Sequence, residues 1–233
     1  MSSLTTRRAR ILLTVGGVLL VVTTLAWAIT SDQVCTRLRN KINQRWQTTN
    51  LKVSVTPYNA TETDRGHFSA INVSASSVCI SDVKLTGVQI SATDVTLDLS
   101  QLVRSNQVVT TKRRSGHFMA RVSQSDLNKA LAHKKNTIKN LQVTLANGML
   151  TFTGKYKFGL TARLRLEGRL ETPDHYKVNF VPTRASVNGL RLPAGPLKPV
   201  LKKINPLLDF KKVPLNPRIE KIIVWGGAVT LSG

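Results

Sequence analysis

Residues 158–170 read F-G-L-T-A-R-L-R-L-E-G-R-L, from Phe158 to Leu170, and the phase of this stretch decides the fold. Phe158, Leu160, Ala162, Leu164, Leu166 and Leu170 fall on even positions, while Thr161, Arg163, Arg165, Glu167 and Arg169 fall on odd ones. Successive side chains of a β-strand point to opposite faces, so this period of two predicts one strand with an oily face and a charged face. At about 3.3 Å per residue it would span roughly 43 Å. An apolar face of that length needs a cover, which a helix, a second sheet or lipid chains can supply.

The flanking sequence supplies more strands. Leu141, Val143 and Leu145 alternate, Asn147-Gly148 is a type I′ hairpin signal, and Leu150 with Phe152 continues the partner strand. Tyr176, Val178 and Phe180 follow a turn at Pro173-Asp174, which completes a four-stranded meander. Further upstream, Leu51, Val53 and Val55 alternate until Pro57, and residues 68–75 form another short β candidate. From Ile80 the chain reads β for about twenty residues. Val88, Ile90 and Ala92 share one phase and Val95, Leu97 and Leu99 the other, which predicts a bulge or turn near Thr93-Asp94. Ser100 to Arg104 reads as a helical turn, Val108 to Thr111 as extended chain, and Phe118, Ala120 and Val122 as a further strand. A last hairpin is expected around Gly226-Gly227.

Three segments have helical spacing. Asp32 to Gln47 carries Val34, Leu38, Ile42 and Trp46 four apart, with Arg37, Arg39, Lys41 and Arg45 between them. It is either a stalk or a helix laid along the sheet. Ser123 to Asp126 resembles a capping box, and Leu127, Ala130 and Leu131 follow at helical spacing before Lys134-Lys135-Asn136. From Pro196 to Leu208, Leu197, Val200, Leu201, Ile204, Leu207 and Leu208 form one face and Lys198, Lys202 and Lys203 the other, with Pro206 set to kink or end the helix.

The chain has 34 basic and 12 acidic residues among 233, a formal net charge of +22. Only Arg7, Arg8 and Arg10 of those bases precede an uncharged run from Ile11 to Thr30. The excess therefore belongs to the rest of the chain and points to acidic partners. The twenty-residue run is long enough to cross a bilayer, and the arginines before it keep that end cytoplasmic. Residues 1–30 are read as a basic tip plus transmembrane anchor, or as a signal peptide cleaved after Ala26-Trp27-Ala28. Residues 31–233 then form an extracytoplasmic domain on the cytoplasmic membrane, secreted or periplasmic in the cleaved case. Two cysteines in an exported chain, Cys35 and Cys79, are expected to form a disulfide worth about 4 kcal/mol; two buried free thiols are the alternative.

No catalytic or metal-binding motif is present. His67, His117, His133 and His175 are scattered, and HExxH, GxSxG and Walker signatures are missing. The reading is of a non-enzyme that needs no cofactor or metal. Lys112-Arg113-Arg114 is the densest basic cluster beyond the N-terminus and a candidate for anionic headgroups. The helix before Leu208, with its lysine face, suits a membrane interface or a core position. Aromatic residues make up only 5%, which argues against stacking platforms for nucleic acid.

Several stretches occur in a telling order. They are F-S-A-I-N-V-S-A-S from Phe68, G-V-Q-I-S-A-T-D-V-T-L-D-L-S-Q-L-V from Gly87, A-R-V-S-Q-S-D-L-N-K-A-L from Ala120, I-N-P-L-L-D-F from Ile204, and V-P-L-N-P-R-I-E-K-I-I-V-W-G-G-A-V-T-L-S-G from Val213. Over Cys35 to Gly233 this order resembles the LmeA-like phospholipid-binding family of exported bacterial envelope proteins. The resemblance implies a fold similar to tubular lipid-binding domains, with residues 123–131 and 197–208 as the helices inside a curling sheet.

The expectation is therefore an α+β protein, a long curved antiparallel β-sheet wrapped around one or two amphipathic helices and preceded by a transmembrane helix. It would bind anionic glycerophospholipid at the outer side of the cytoplasmic membrane, with transfer as the further role. Phe158, Leu160, Leu164, Leu166, Leu201, Ile204 and Leu208 are the expected acyl-chain groove, and Lys112, Arg113, Arg114, Lys202 and Lys203 the expected headgroup site. The alternative is a scaffold whose basic surface binds acidic cell-wall polymers.

Overall fold

The structure is a computed structural model that describes residues 30–105, 107–133, 138–158, 160–193, 198–211 and 213–233. The apolar run from Ile11, and with it the expected transmembrane helix, lies outside the described residues. Among the described residues no helix is long and apolar enough to cross a membrane.

Helix α1 (Ser31–Arg45) starts where Thr30 Oγ1 accepts from the Gln33 N–H, which satisfies one of the orphan donors of the first turn. Val34, Leu38 and Ile42 are buried, so the stripe faces the core and the helix is laid along the sheet. Then come β1 (Thr48–Thr49), β2 (Lys52–Pro57), α2 (Ala60–Asp64), β3 (His67–Ile80), β4 (Val83–Leu97), α3 (Leu99–Arg104), β5 (Thr110–Lys112) and β6 (Ser115–Ser123). Helix α4 (Gln124–His133) leads to β7 (Lys139–Ala146), β8 (Met149–Phe158), β9 (Leu160–Glu171), β10 (Lys177–Val187) and β11 (Leu190–Arg191). The chain ends with α5 (Lys198–Ile204), β12 (Leu208–Asp209), β13 (Lys221–Trp225) and β14 (Ala228–Ser232).

The architecture is α+β and mostly antiparallel, but with two sheets where one long sheet was expected. The first has the order β1-β3-β4-β6-β14-β13, with β2 also on β3 and β5 on β4. The second has the order β11-β10-β9-β8-β7, with β12 on β10. Their inner faces and the buried stripe of α1 belong to one core running from Val34 to Leu231.

The first sheet curls because its oily face slips phase twice along β4. Burial moves from Val83 and Leu85 to Val88, Ile90 and Ala92, then to Val95 and Leu97. The slips coincide with Gly87 (φ +58°) and Asp94 (φ +53°), backbone kinks that re-aim the strand. The Asp94 slip was legible as the parity change near Thr93. The Gly87 slip went unnoticed, although an isolated glycine inside a strand pattern signals one.

The deciding stretch is divided. Phe158 ends β8 and Leu160 begins β9, and the two are antiparallel partners, so the strand runs twelve residues from Leu160. Two-faced alternation persists within it: Leu164, Leu166 and Gly168 are buried, while Thr161, Arg163, Arg165 and Arg169 are exposed. The Asn147-Gly148 turn has both residues at positive φ (51° and 77°), as a type I′ hairpin requires.

Helix α4 joins the two sheets. Ser123 Oγ accepts from the Asp126 N–H at 3.0 Å and donates to Asp126 Oδ2 at 2.6 Å, the expected cap. One turn apart on this helix, Gln124 accepts from the Leu145 N–H, and Asn128 both accepts from the Val143 N–H and donates to its carbonyl. These side chains occupy the edge of β7 that would otherwise present unpaired backbone groups.

Helix α5 is seven residues long, shorter than the segment from Pro196 to Leu208, and Leu197 lies outside the described residues. Pro206 carries no N–H to continue it. Leu208 instead enters β12, and Asn205 pairs with both backbone groups of Phe180, accepting from its N–H at 2.8 Å and donating to its carbonyl at 2.9 Å.

The expected disulfide is absent: Cys35 and Cys79 are both free thiols. Cys35 Sγ donates to the Val53 carbonyl at 3.0 Å, and Val53 pairs with Val73. Cys79 lies six residues beyond Val73 on β3, roughly 20 Å at ~3.3 Å per residue. A disulfide needs the two Cα atoms within about 7 Å.

Candidate functional site

Where α1 ends against the first sheet, a seam remains whose lining is wholly apolar. It is bounded by Ile42 and Trp46 of the helix end, by Val73, Ala75, Leu85 and Val88 on the sheet, and by Phe210, Val213 and Pro214 of the segment after β12. Phe210 packs edge-on against Phe118 with ring centroids 5.2 Å apart, closing the floor. The enclosed space is about 30 Å³, roughly one water's share of the liquid. The seam is shut.

Trp46, Val213 and Pro214 also form a wall of a neighbouring groove of about 430 Å³. Among the described residues its rim carries Lys41, Arg45 and Lys211 together with Gln107, Thr110 and Asn216, and no acidic residue. The Arg45 guanidinium lies 5.4 Å from the centre of the Trp46 ring. Thr110 Oγ1 is buried without a hydrogen-bond partner, which is costly unless an external group meets it. Behind Trp46, a second groove of about 610 Å³ includes Cys79, Asp82 and Asp209.

The cover over the seam is tied from both sides. Arg113 Nη1 donates to the Leu215 carbonyl at 2.6 Å, and Lys211 Nζ lies 3.2 Å from Asp174 Oδ2 at the β9–β10 turn. The Phe210 N–H donates to the Tyr176 carbonyl. Asp174 itself accepts from the N–H groups of Tyr176 and Lys177. Although partial burial opposes it, those donors and Lys211 hold its carboxyl below the usual aspartate value.

The residues expected at the site are dispersed. Leu164, Leu166, Ile204 and Leu208 are packed in the core, Leu201 is half-buried, and none of the five lines the seam. The side chains of Phe158 and Leu160 lie outside the described residues. Arg113 clamps the cover, Lys112 and Arg114 are exposed beside it on the first sheet, and Lys202 and Lys203 are exposed on α5. Sequence reading placed Lys41, Arg45 and Trp46 on a helix but gave them no role. The available signal was a tryptophan closing an apolar stripe, with a basic residue on either side of its turn.

A separate polar cluster sits between β3, β4 and α2. His67 Nδ1 is 3.0 Å from Glu62 Oε2, and its Nε2 is 2.6 Å from Asp94 Oδ1. Hydrogen bonding to Glu62, then to Asp94, raises the His67 pKa, and the same bonds lower both carboxyls. The Tyr58 hydroxyl donates to Asp94, and Arg65, Lys112 and Arg114 are the nearby cations. The raised imidazole stabilises the fold fully below its ordinary pKa and loses that contribution as pH rises through its folded value. The depressed carboxyls stabilise above their ordinary values and lose that contribution as pH falls. Urea midpoints should therefore plateau between about pH 4.3 and 6.5 and decline on either side. His67→Gln should flatten the alkaline decline; an unchanged slope would show that another group controls it.

Compared with protein-family models, residues 21–233 match the one described as LmeA-like phospholipid-binding. No curated protein and no solved structure matches the chain.

Proposed function

We propose, from the premise that the chain belongs to the LmeA-like phospholipid-binding family, that it takes an anionic glycerophospholipid with its headgroup on Lys41, Arg45 and Lys211 and an acyl chain in the seam behind Trp46. The observation that carries this reading is the shared wall: Trp46, Val213 and Pro214 face an all-apolar space on one side and an acid-free basic groove on the other. A phospholipid has that division within one molecule. Thr110 Oγ1 supplies a donor at the polar end.

Loading requires the cover to part. Pockets that take a drug-sized ligand already run to about 300–1,000 Å³, an order of magnitude above the closed space. Release of Leu215 from Arg113 and of Lys211 from Asp174 frees the segment, and Lys211 then turns to the phosphate. An opened seam leads past Phe210 toward Leu208 and the inner face of the second sheet, where Ile204, Leu201, Leu164 and Leu166 continue the apolar path, with Phe158 and Leu160 at its expected far end. Lys112, Arg114, Lys202 and Lys203 serve as outer headgroup contacts.

The energetics suit a carrier. Burying about fourteen CH₂ groups at about 0.8 kcal/mol each is worth some 11 kcal/mol from water, but a chain leaving a bilayer was already in oil, so net transfer is near neutral. The chemistry is binding, without a reaction, and the N-terminal run with its preceding arginines supports a location at the outer side of the cytoplasmic membrane.

Native mass spectrometry of the full chain tests this. Co-purified anionic phospholipid is expected, and the triple substitution Lys41→Glu, Arg45→Glu, Lys211→Glu should reduce its share at least tenfold against zwitterionic lipid. A clean apo mass from membranes, with no uptake from added vesicles, would favour a non-carrying scaffold that binds acidic polymers.

A further inference from the structure

We infer that the charged face of the second sheet is a docking surface for an anionic lipid bilayer, separate from the mouth where cargo enters. The partner pairs of β8, β9, β10 and β11 put Lys155, Arg163, Arg165, Arg184 and Arg191 on one outward face, all exposed, with Glu167 as the acid among them. Arg165 is paired with that glutamate at 2.7 Å. Among the described residues Lys155, Arg163 and Arg191 form no ion pair with an acid, and Arg184, opposite Glu167 in the register, forms none either.

The placement works against the sheet itself. Lys155 and Arg163 are direct cross-strand partners, and like charges opposite each other destabilise a pair. One row runs Arg165, Ser186, Arg191 across three strands. Two grooves, of about 420 and 630 Å³, meet at Arg165, Ser186 and Gly189 along this face. An external anionic layer relieves the repulsion that the protein's own acids leave standing.

Two features select a bilayer among polyanions. The cations are spread over a sheet face rather than gathered into one cleft, which suits a planar partner. Among the described residues no aromatic side chain lines either groove, so stacked bases have no platform. The choice of a lipid surface also rests on the phospholipid reading, since such cargo must be collected from one.

Each cation near a charged bilayer shifts the docked population by about fivefold, so three removed together should cost on the order of a hundredfold. The test is hydrogen exchange of the full chain reconstituted in nanodiscs, read at the Asn188 to Leu190 turn. Exchange there should slow with phosphatidylglycerol in the disc, remain fast in pure phosphatidylcholine, and become fast in both for the triple variant Arg163→Gln, Arg184→Gln, Arg191→Gln. Core amides of β9 must stay protected in that variant; if they do not, the single substitutions are read in the same way. Equal slowing in both discs, unchanged slowing in the variants, or the same slowing by soluble polyphosphate would overturn the docking surface. Native mass spectra of the triple variant should keep the bound lipid, so loss of docking with cargo retained separates this inference from the carrier reading.

Discussion

Gly168→Val is expected to destabilise the protein by about 3 kcal/mol or more, read as a lowered urea midpoint with the denaturant slope unchanged. Gly168 sits on the buried face of β9 opposite Pro182, where the β9–β10 register shifts between Pro182 and Arg184. A Cβ built there would collide with the Val181 carbonyl oxygen and lie 2.7 Å from Pro182 Cα. Both obstacles are backbone, and β10 is held on its other edge by β12 and by the two hydrogen bonds of Asn205. Neither strand can yield without giving up part of its ladder. Gly116→Ala makes a useful contrast, because its Cβ would approach only the Arg113 guanidinium, at 3.1 Å, and a side-chain end can shift. A cost at Gly168 no larger than at Gly116 would mean that the bulge relaxes.

The local grammar of this fold was readable because each signal concerns residues close in sequence. The alternation of Leu164 and Leu166 with Arg163 and Arg165 marked a two-faced strand, Asn147-Gly148 marked its hairpin, and Ser123 with Asp126 marked a helix start. Most failures required knowledge of a partner remote in the chain. Phe158 shares the even phase of Leu160, so periodicity alone could not reveal that the strand ends between them; Gly159 was the sole cue. Two sheets cannot be distinguished from one by the phase of their strands. Cys35 and Cys79 were paired by arithmetic, but β2 and β3 hold them at different heights. Leu207 and Leu208 fit the helical face ahead of them, yet hydrogen bonds to β10 take both into the second sheet.

The seam was hidden for the same reason. Its residues come from α1, from the inner face of the first sheet, and from the segment after β12, more than 160 residues beyond Trp46 in sequence. The long strand was the most visible apolar feature and drew the expected groove to itself. In the folded chain Leu164 and Leu166 already have cover from the core. The small apolar space beneath Trp46 has a lining that is unexceptional residue by residue.

Ala75→Met is the substitution that should remove lipid binding while leaving the fold standing. Ala75 is buried on β3 and lines the seam opposite its partner Val88. Methionine adds three heavy atoms. The closed space of about 30 Å³ accepts part of that volume, and the flexible thioether can follow an irregular gap, so the overpacking cost should stay at the low end of about 1–3 kcal/mol. In the opened, loaded state proposed above, the same side chain would occupy the path of the acyl chain. Lipid occupancy in native spectra should therefore fall at least tenfold, equivalent to about 1.4 kcal/mol, with far-UV spectrum and urea slope preserved. If Ala75→Met proves too unstable to purify, Val88→Met, which adds one heavy atom net but reaches further, extends into the seam from the partner strand. A folded variant of either kind that carries lipid at the wild-type level would show that the chains lie elsewhere, and the basic groove beyond Trp46 would then need a different occupant.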